Sequence, residues 1–223
     1  LWMSCKALRE ATVVQWIHEG LTADELKLLG TLGSVLPALK VLILCQPAAD
    51  PDGMRQLAAG LGAGALPAVT WLGIFKTHVG DAGASALAAA LGQGALPRLK
   101  SLQLSSATIG DAGLVALAPA LRRRPALKDL NFFGNPFGDE GLAALVAPPP
   151  PAGAPPPTTG GLAKLKWLDL SFTQITDAGC ATLAAALDSG ALPALQVLYL
   201  YGIPASAAAK AAVYAARASL EGR

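Results

Sequence analysis

Apolar residues recur along this chain as L-x-x-L-x-L, starting at Leu39, Val69, Leu99, Leu127, Leu165 and Leu195, with the starts 30, 30, 28, 38 and 30 residues apart. Positions four and six of each copy (Leu42/Leu44, Leu72/Ile74, Leu102/Leu104, Leu130/Phe132, Leu168/Leu170, Leu198/Leu200) alternate with period two. That period predicts a short strand with one face buried. One more apolar residue (Val79, Ile109, Phe137, Ile175) marks the turn that follows. Asp81, Asp111, Asp139 and Asp177 then stand where a helix N-cap is needed, to accept backbone N–H groups at the positive helix end. Leu57/Leu61, Leu87/Leu91, Leu117/Leu121 and Leu183/Leu187 are spaced i, i+4, so each pair lies on one helix face among alanines. The G-x-G-A-L-P segments at 62–67 and 92–97 end the helix with Gly and block its continuation with Pro.

Each unit therefore reads strand, turn, helix, loop. One unit cannot bury its own leucine face, but stacked units share a continuous core. The predicted fold class is α/β: a single-domain solenoid over 1–223, with a parallel inner β-sheet and outer α-helices. Residues 1–35 are expected to form an N-terminal helical cap, with 1–19 a helix carrying Trp2, Leu8, Val13, Trp16 and Ile17, and 22–32 the helical half of a unit. Units occupy 36–204, giving five strand-bearing units and a final strand. A capping helix follows in 205–223. Residues 148–161, Pro-rich, interrupt the fourth unit and place Pro149 at its second helix leucine. Such a run favours extended polyproline II and has the form of an SH3 or WW ligand, or of a solvated insertion on the rim.

The pattern L-x-x-L-x-L-x-x-(N/T/C)-x-(I/V)-x-D-x-G-x-x-x-L-x-x-x-L resembles the ribonuclease-inhibitor-like class of leucine-rich repeats, seen also in the sensing arms of NOD-like receptors and in Ran GTPase-activating proteins. The likeness spans about Leu36 to Tyr201. It implies a horseshoe that binds other proteins; the alternatives it carries are a small-GTPase regulator and the sensing arm of a larger receptor. The family's polar ninth position is Asn135, Thr77 and Thr173 in three units but Pro47 and Ala107 in the first and third, where looser turns are expected.

Composition narrows the function. Charged residues are only 14% and the net charge is +2, with Arg122-Arg123-Arg124 the one basic block, so no clustered field for nucleic acid is expected. The block falls at a helix C-terminus, where cations suit the dipole. The mean hydropathy is positive, yet the apolar stretch Val35 to Cys45 is far shorter than a membrane span and holds Pro37 and Lys40. Cys5, Cys45 and Cys180 fit neither a disulfide framework nor metal spacing, and no secretory signal pattern precedes them. A reduced, cytoplasmic setting is the expectation. His18 and His78 have no predictable nucleophile or acid partner, and no phosphate loop occurs, so neither an enzyme nor a cofactor is expected.

Positions three, five and seven point away from the core onto the inner face. They read Val41, Trp71, Ser101, Asp129, Trp167, Val197; then Ile43, Gly73, Gln103, Asn131, Asp169, Tyr199; then Cys45, Phe75, Ser105, Phe133, Ser171, Tyr201. Trp71, Phe75, Phe133, Trp167, Tyr199 and Tyr201 concentrate the scarce aromatics there, with Asp129, Asn131 and Asp169 between them. Exposed rings flanked by polar groups are the material of protein-binding hot spots. These nine residues are the candidate contact site for a protein partner met by a monomer. The Asp129, Asn131 and Asp169 cluster lacks a third fixed ligand for a cation. Lys40, Lys100, Lys128 and Lys166 recur at position two, a basic stripe that solvates the strand-entry edge or steers an acidic partner.

Overall fold

A computed structural model describes residues 5–17, 21–33, 36–45, 51–147 and 162–221. The Pro-rich segment 148–161, Pro47 and His18 lie outside them. In chain order the elements are α1 (Cys5–Glu10), β1 (Val13–Ile17), α2 (Ala23–Leu32), β2 (Val41–Cys45), α3 (Pro51–Gly60), β3 (Trp71–Phe75), α4 (Gly80–Gly92), β4 (Ser101–Gln103), α5 (Asp111–Arg122), β5 (Asp129–Asn131), α6 (Asp139–Val146), β6 (Trp167–Asp169), α7 (Asp177–Asp188), β7 (Val197–Tyr199) and α8 (Ala207–Ala215). The strands form one parallel seven-stranded sheet in sequence order. Helices pack on their sequence neighbours from α2 through α8. The leucines of positions four and six, with Ile74 and Phe132 in place of two of them, are all buried between the two layers. Each such side chain contributes about 2 kcal/mol by leaving water.

The start of the chain differs from the sequence expectation. Residues 13–17 are not helical: β1 pairs with β2 in the register Val13↔Val41 to Ile17↔Cys45. Ala11, Val14 and Trp16 take positions one, four and six, with Val14 and Trp16 buried and Val13 and Ile17 exposed. An Ala and a Trp in leucine places hid this unit, although its alternation is that of a strand. The sheet thus has one strand more than the repeats counted from their leucines. Its helix, α2, starts with a capping box: Glu25 N–H donates to Thr22 Oγ1 (3.3 Å) and Thr22 N–H to Glu25 Oε2 (2.8 Å).

The recurrent aspartates also do a different job from the one predicted. Asp111, Asp139 and Asp177 are the first residues of their helices, and Asp81 the second of its own, and each carboxylate accepts from the next unit. Gly110 N–H donates to Asp81 (2.7 Å), Gly138 and Gly141 N–H to Asp111 (2.8 and 2.7 Å), Thr176 N–H to Asp139 (2.8 Å) and Ser206 N–H to Asp177 (2.6 Å). The aspartate therefore caps the following helix, not its own. This explains the glycine two residues later. A Cβ on Gly113 would meet Asp81 Oδ1 at 2.5 Å, one on Gly141 would meet Asp111 Oδ1 at 2.9 Å, and one on Gly179 would run into Asp139 Oδ1.

The turn of the third unit is not loose either. Buried Asn135 reaches back: its Oδ1 accepts from Ala107 N–H (3.1 Å) and Ile109 N–H (3.0 Å), and its Nδ2 donates to Leu104 O (2.7 Å) and Phe132 O (2.8 Å). One amide satisfies two turns, so the alanine at 107 costs nothing. Arg124 links units in the same backward sense. It is buried and donates to Leu96 O and Leu91 O, closing the exit of α4 rather than only sitting at the end of α5. Arg217 repeats the device after α8, donating to Leu192 O and Leu187 O.

Candidate functional site

Strand register brings the outward columns into line across the sheet. Val41, Trp71, Ser101, Asp129, Trp167 and Val197 are successive partners, as are Ile43, Gly73, Gln103, Asn131, Asp169 and Tyr199. The nine candidate residues all lie on this inner side or at its strand-exit margin, but they separate into two groups. Trp71 and Phe75 meet ring to ring (5.8 Å between centroids, 46° apart). They converge over Gly73, where a Cβ would collide with the Trp71 ring and lie 2.6 Å from Phe75 Cε2. The missing side chain is what lets the rings lie down, so both are half-buried by each other. Beyond them β4 presents a polar gap, in which Gln103 Nε2 donates to Ser101 Oγ (2.8 Å).

The second group is larger. Trp167 and Tyr199 pack edge-on (5.9 Å, 71°). Phe133, Phe172 and Tyr201 form a continuous row along the strand-exit margin, with centroid steps of 5.0 Å and 5.2 Å. Edge-to-face pairs at such distances are attractive beyond the area they bury. The row remains open to solvent: Phe133 is 36%, Phe172 45% and Tyr201 66% exposed.

Phe172, the middle ring, is absent from the sequence-derived set. It occupies position eight, outside the columns that alternation selects. Its backbone is left-handed (φ 56°), and Lys76 (φ 50°), Ser106 (φ 52°), Gly134 (φ 68°) and Gly202 (φ 67°) share that conformation at the same position. The turn imposes positive φ there, which glycine meets without strain and a phenylalanine does not. Glycine in two units was the signal; Lys76, Ser106 and Phe172 bear the strain in the other three, and of these Phe172 alone is aromatic. Gly202 serves Phe172 directly, since a Cβ there would stand 2.7 Å from its ring.

The polar candidates are partly committed to backbone. Asn131 Oδ1 accepts from Phe133 N–H and Asp169 Oδ1 from Ser171 N–H, both at 2.9 Å, fixing the chain as it leaves β5 and β6. These two bonds hold the start of the aromatic row. Asp129 stands between Ser101 and Trp167. Burial pushes its carboxyl above the usual range, and nearby Lys128 and Lys166 pull it back. Among the described residues, no group of three or more His, Cys, Asp or Glu gathers to hold a metal ion. His78 sits exposed in the strand-to-helix turn after β3.

Three stretches, residues 96–118, 125–146 and 161–184, match the family model described as Leucine Rich repeat. They coincide with the third, fourth and fifth leucine-motif units, each with its strand or helix in the shared register. The fold is a leucine-rich-repeat solenoid. No curated protein matches the leucine-rich-repeat chain as a relative. Solved structures similar to it include a leucine-rich-repeat protein of Leptospira interrogans, at 19% identity and TM-score 0.48, covering 85% of this chain and 44% of that one. A second is TLR13 in its complex with ssRNA13, at 18% identity and TM-score 0.49, covering 89% and 27%. A third is the leiomodin-1 actin-binding site 2, at 16% identity and TM-score 0.45, covering 61% and 70%. The repeat chain thus spans less than half the length of the first two. Among the described residues, no helix of the solenoid is long and apolar enough to cross a membrane.

Proposed function

We propose that this chain is a non-catalytic protein-binding module, monomeric and of the ribonuclease-inhibitor-like class, that holds a protein partner against the inner face. The contact site is the row Phe133–Phe172–Tyr201 with Trp167 and Tyr199 beside it, and the acceptors of Asp129, Asn131 and Asp169 along its flank. Trp71 and Phe75 form a smaller, self-shielded outpost across the polar gap. The carrying observation is Phe172: a bulky ring kept in a left-handed backbone, nearly half exposed, between two other exposed rings. Left-handed non-glycine backbone costs about 1–2 kcal/mol, a cost that Lys76 and Ser106 also bear at this position; what sets Phe172 apart is a large exposed ring there, packed between two others. A cytoplasmic setting belongs to the same reading, supported by the free thiols of Cys45 and Cys180.

Phe172→Gly tests the reading without endangering the fold. Losing two ring contacts costs about 1–2 kcal/mol, and relieving the backbone returns a similar amount, so stability stays within about 1 kcal/mol of the parent in urea unfolding. Partner capture is expected to be lost. Photocrosslinking with p-benzoylphenylalanine in place of Phe172 is expected to trap proteins that the same group in place of Val115, exposed on α5, does not. Identical products from both positions, or capture undiminished in Phe172→Gly, would sink the assignment.

A further inference from the structure

The rim where the chain enters the strands has its own chemistry. The residues at position two are joined by a lateral ladder of backbone bonds: Thr70 N–H to Lys40 O (2.9 Å), Lys100 to Thr70 (2.8 Å), Lys128 to Lys100 (2.7 Å), Lys166 to Lys128 (2.7 Å) and Gln196 to Lys166 (2.9 Å). The ladder holds their side chains at the strand pitch, about 4.8 Å per step, so Lys40 to Lys166 spans about 19 Å. Lys40, Lys100, Lys128 and Lys166 are exposed, and Arg98 and Lys164 add charge just before them. Among the described residues none of these six forms an ion pair. The five-residue segments that lead into the strands (36–40, 66–70, 96–100, 124–128, 162–166, 192–196) contain no Asp or Glu. Among the described residues, carboxylates meet this rim at exposed Glu10, two residues before the Thr12 whose carbonyl bonds Lys40, at half-buried Asp129 inside it, and at Glu221, whose N–H bonds to Gln196 O at its far end.

The balancing acids stand on the opposite margin, where Asp81, Asp111, Asp139, Glu140 and Asp177 open the helices. A chain of net charge +2 therefore carries a segregated charge, basic at strand entry and acidic at strand exit. The basic rim is also indented: Lys40, Thr70, Pro97, Arg98 and Lys100 line a shallow depression of about 320 Å³.

We propose that this rim, centred on Lys100, Lys128 and Lys166, docks an acidic extended segment of a protein partner lying across the strands. A row of about 19 Å matches roughly six residues of extended peptide. An acidic peptide fits better than nucleic acid. The six segments contain no Phe, Trp or Tyr on which bases would stack, and the acidic opposite margin repels a long polyanion. The proposal rests on the reading of the chain as a protein-binding module, but it uses a different margin from the aromatic row.

The test is fluorescence anisotropy of the 223-residue chain with a labelled oligoglutamate of about ten residues, against oligoglutamine and oligothymidylate of equal length. Oligoglutamate is expected to bind and oligoglutamine not, with at least about tenfold weakening between roughly 50 and 200 mM salt. Reversing the row (Lys100→Glu, Lys128→Glu and Lys166→Glu together) is expected to cost at least about tenfold more in affinity than the same reversal at exposed Lys27, Arg55 and Lys76. A neutral triple (Lys100→Gln, Lys128→Gln, Lys166→Gln) gives an intermediate loss and guards against a folding defect. Phe172→Gly leaves oligoglutamate binding unchanged, so a failed aromatic assignment and a failed rim assignment read differently. No oligoglutamate binding at low salt, equal losses in the two reversed triples, tighter binding of oligothymidylate, or dependence on Phe172 would each overturn the proposal.

Discussion

Asn135 shows what a single side chain does in this architecture. Its amide closes the turn of its own unit and that of the unit before, with both ends buried. Asn135→Ala removes the partners of two N–H groups and two carbonyls at once, and each buried orphan costs about 1–3 kcal/mol. Partial rescue by water at the turn surface brings the expected loss to about 3 kcal/mol, read as a lowered urea midpoint with an unchanged slope. A loss under about 1 kcal/mol would mean the two turns do not depend on it. The polar ninth position was legible in the sequence as a turn residue. Its reach into the neighbouring unit was not, because a repeat pattern aligns equivalent positions and is silent about which copy each one touches. Phe172 escaped for a related reason: alternation predicts which side chains face outward along a strand, but position eight lies past the strand, where only backbone conformation decides.

The helices α5 to α8 are started by their predecessors. The sequence contained Asp and, two residues on, Gly in four of its units, and both were visible; the physical link between them was not, because the contact lies between copies. Gly113, Gly141 and Gly179 leave room for Asp81, Asp111 and Asp139 of the previous unit, and those carboxylates receive N–H groups at the start of the helix that carries the glycine. Asp139 and Gly179 allow a direct check. Gly179→Ala drives a methyl group into Asp139 Oδ1 and is expected to destabilise by about 1–3 kcal/mol. Asp139→Ala removes the acceptor of Thr176 N–H and is expected to cost about 1 kcal/mol. Together they should cost less than the sum, by at least about 0.5 kcal/mol, because the methyl then enters vacated space. Strict additivity in a double-mutant cycle would disprove the coupling. The strand β1 marks the limit at this scale. Its alternation was present, but Ala11 and Trp16 in place of leucines made a helix equally compatible, and only pairing with β2 decides between them.

The molecule as a whole is a one-dimensional stack, and the stack was its most legible property. Leucine spacing alone specified parallel strands inside and helices outside, because no other arrangement buries every motif at once. The closing end depends on side chains instead. At the far side of β7, Leu198 N–H donates to Glu221 O and Tyr214 Oη to Leu198 O (3.1 Å), and Arg217 holds the carbonyls of Leu187 and Leu192. Arg217→Ala is therefore expected to loosen the end without melting the stack. Hydrogen exchange should accelerate in β7 and α8 while β3 and β4 remain protected. Uniform acceleration along the chain would show that the stack opens as one unit.

The forward-facing aspartates give the stack a direction in time as well as in space. A unit leaving the ribosome finds the acceptor for its first helical turn already fixed on the unit before it, whereas its own carboxylate waits for the next. Growth from the amino end is thus templated one step ahead. The backward-facing Asn135 and Arg124 then tie the middle of the stack together only after the fourth unit has arrived. A stack already long enough to hold its core therefore presents a prepared acceptor at its growing end.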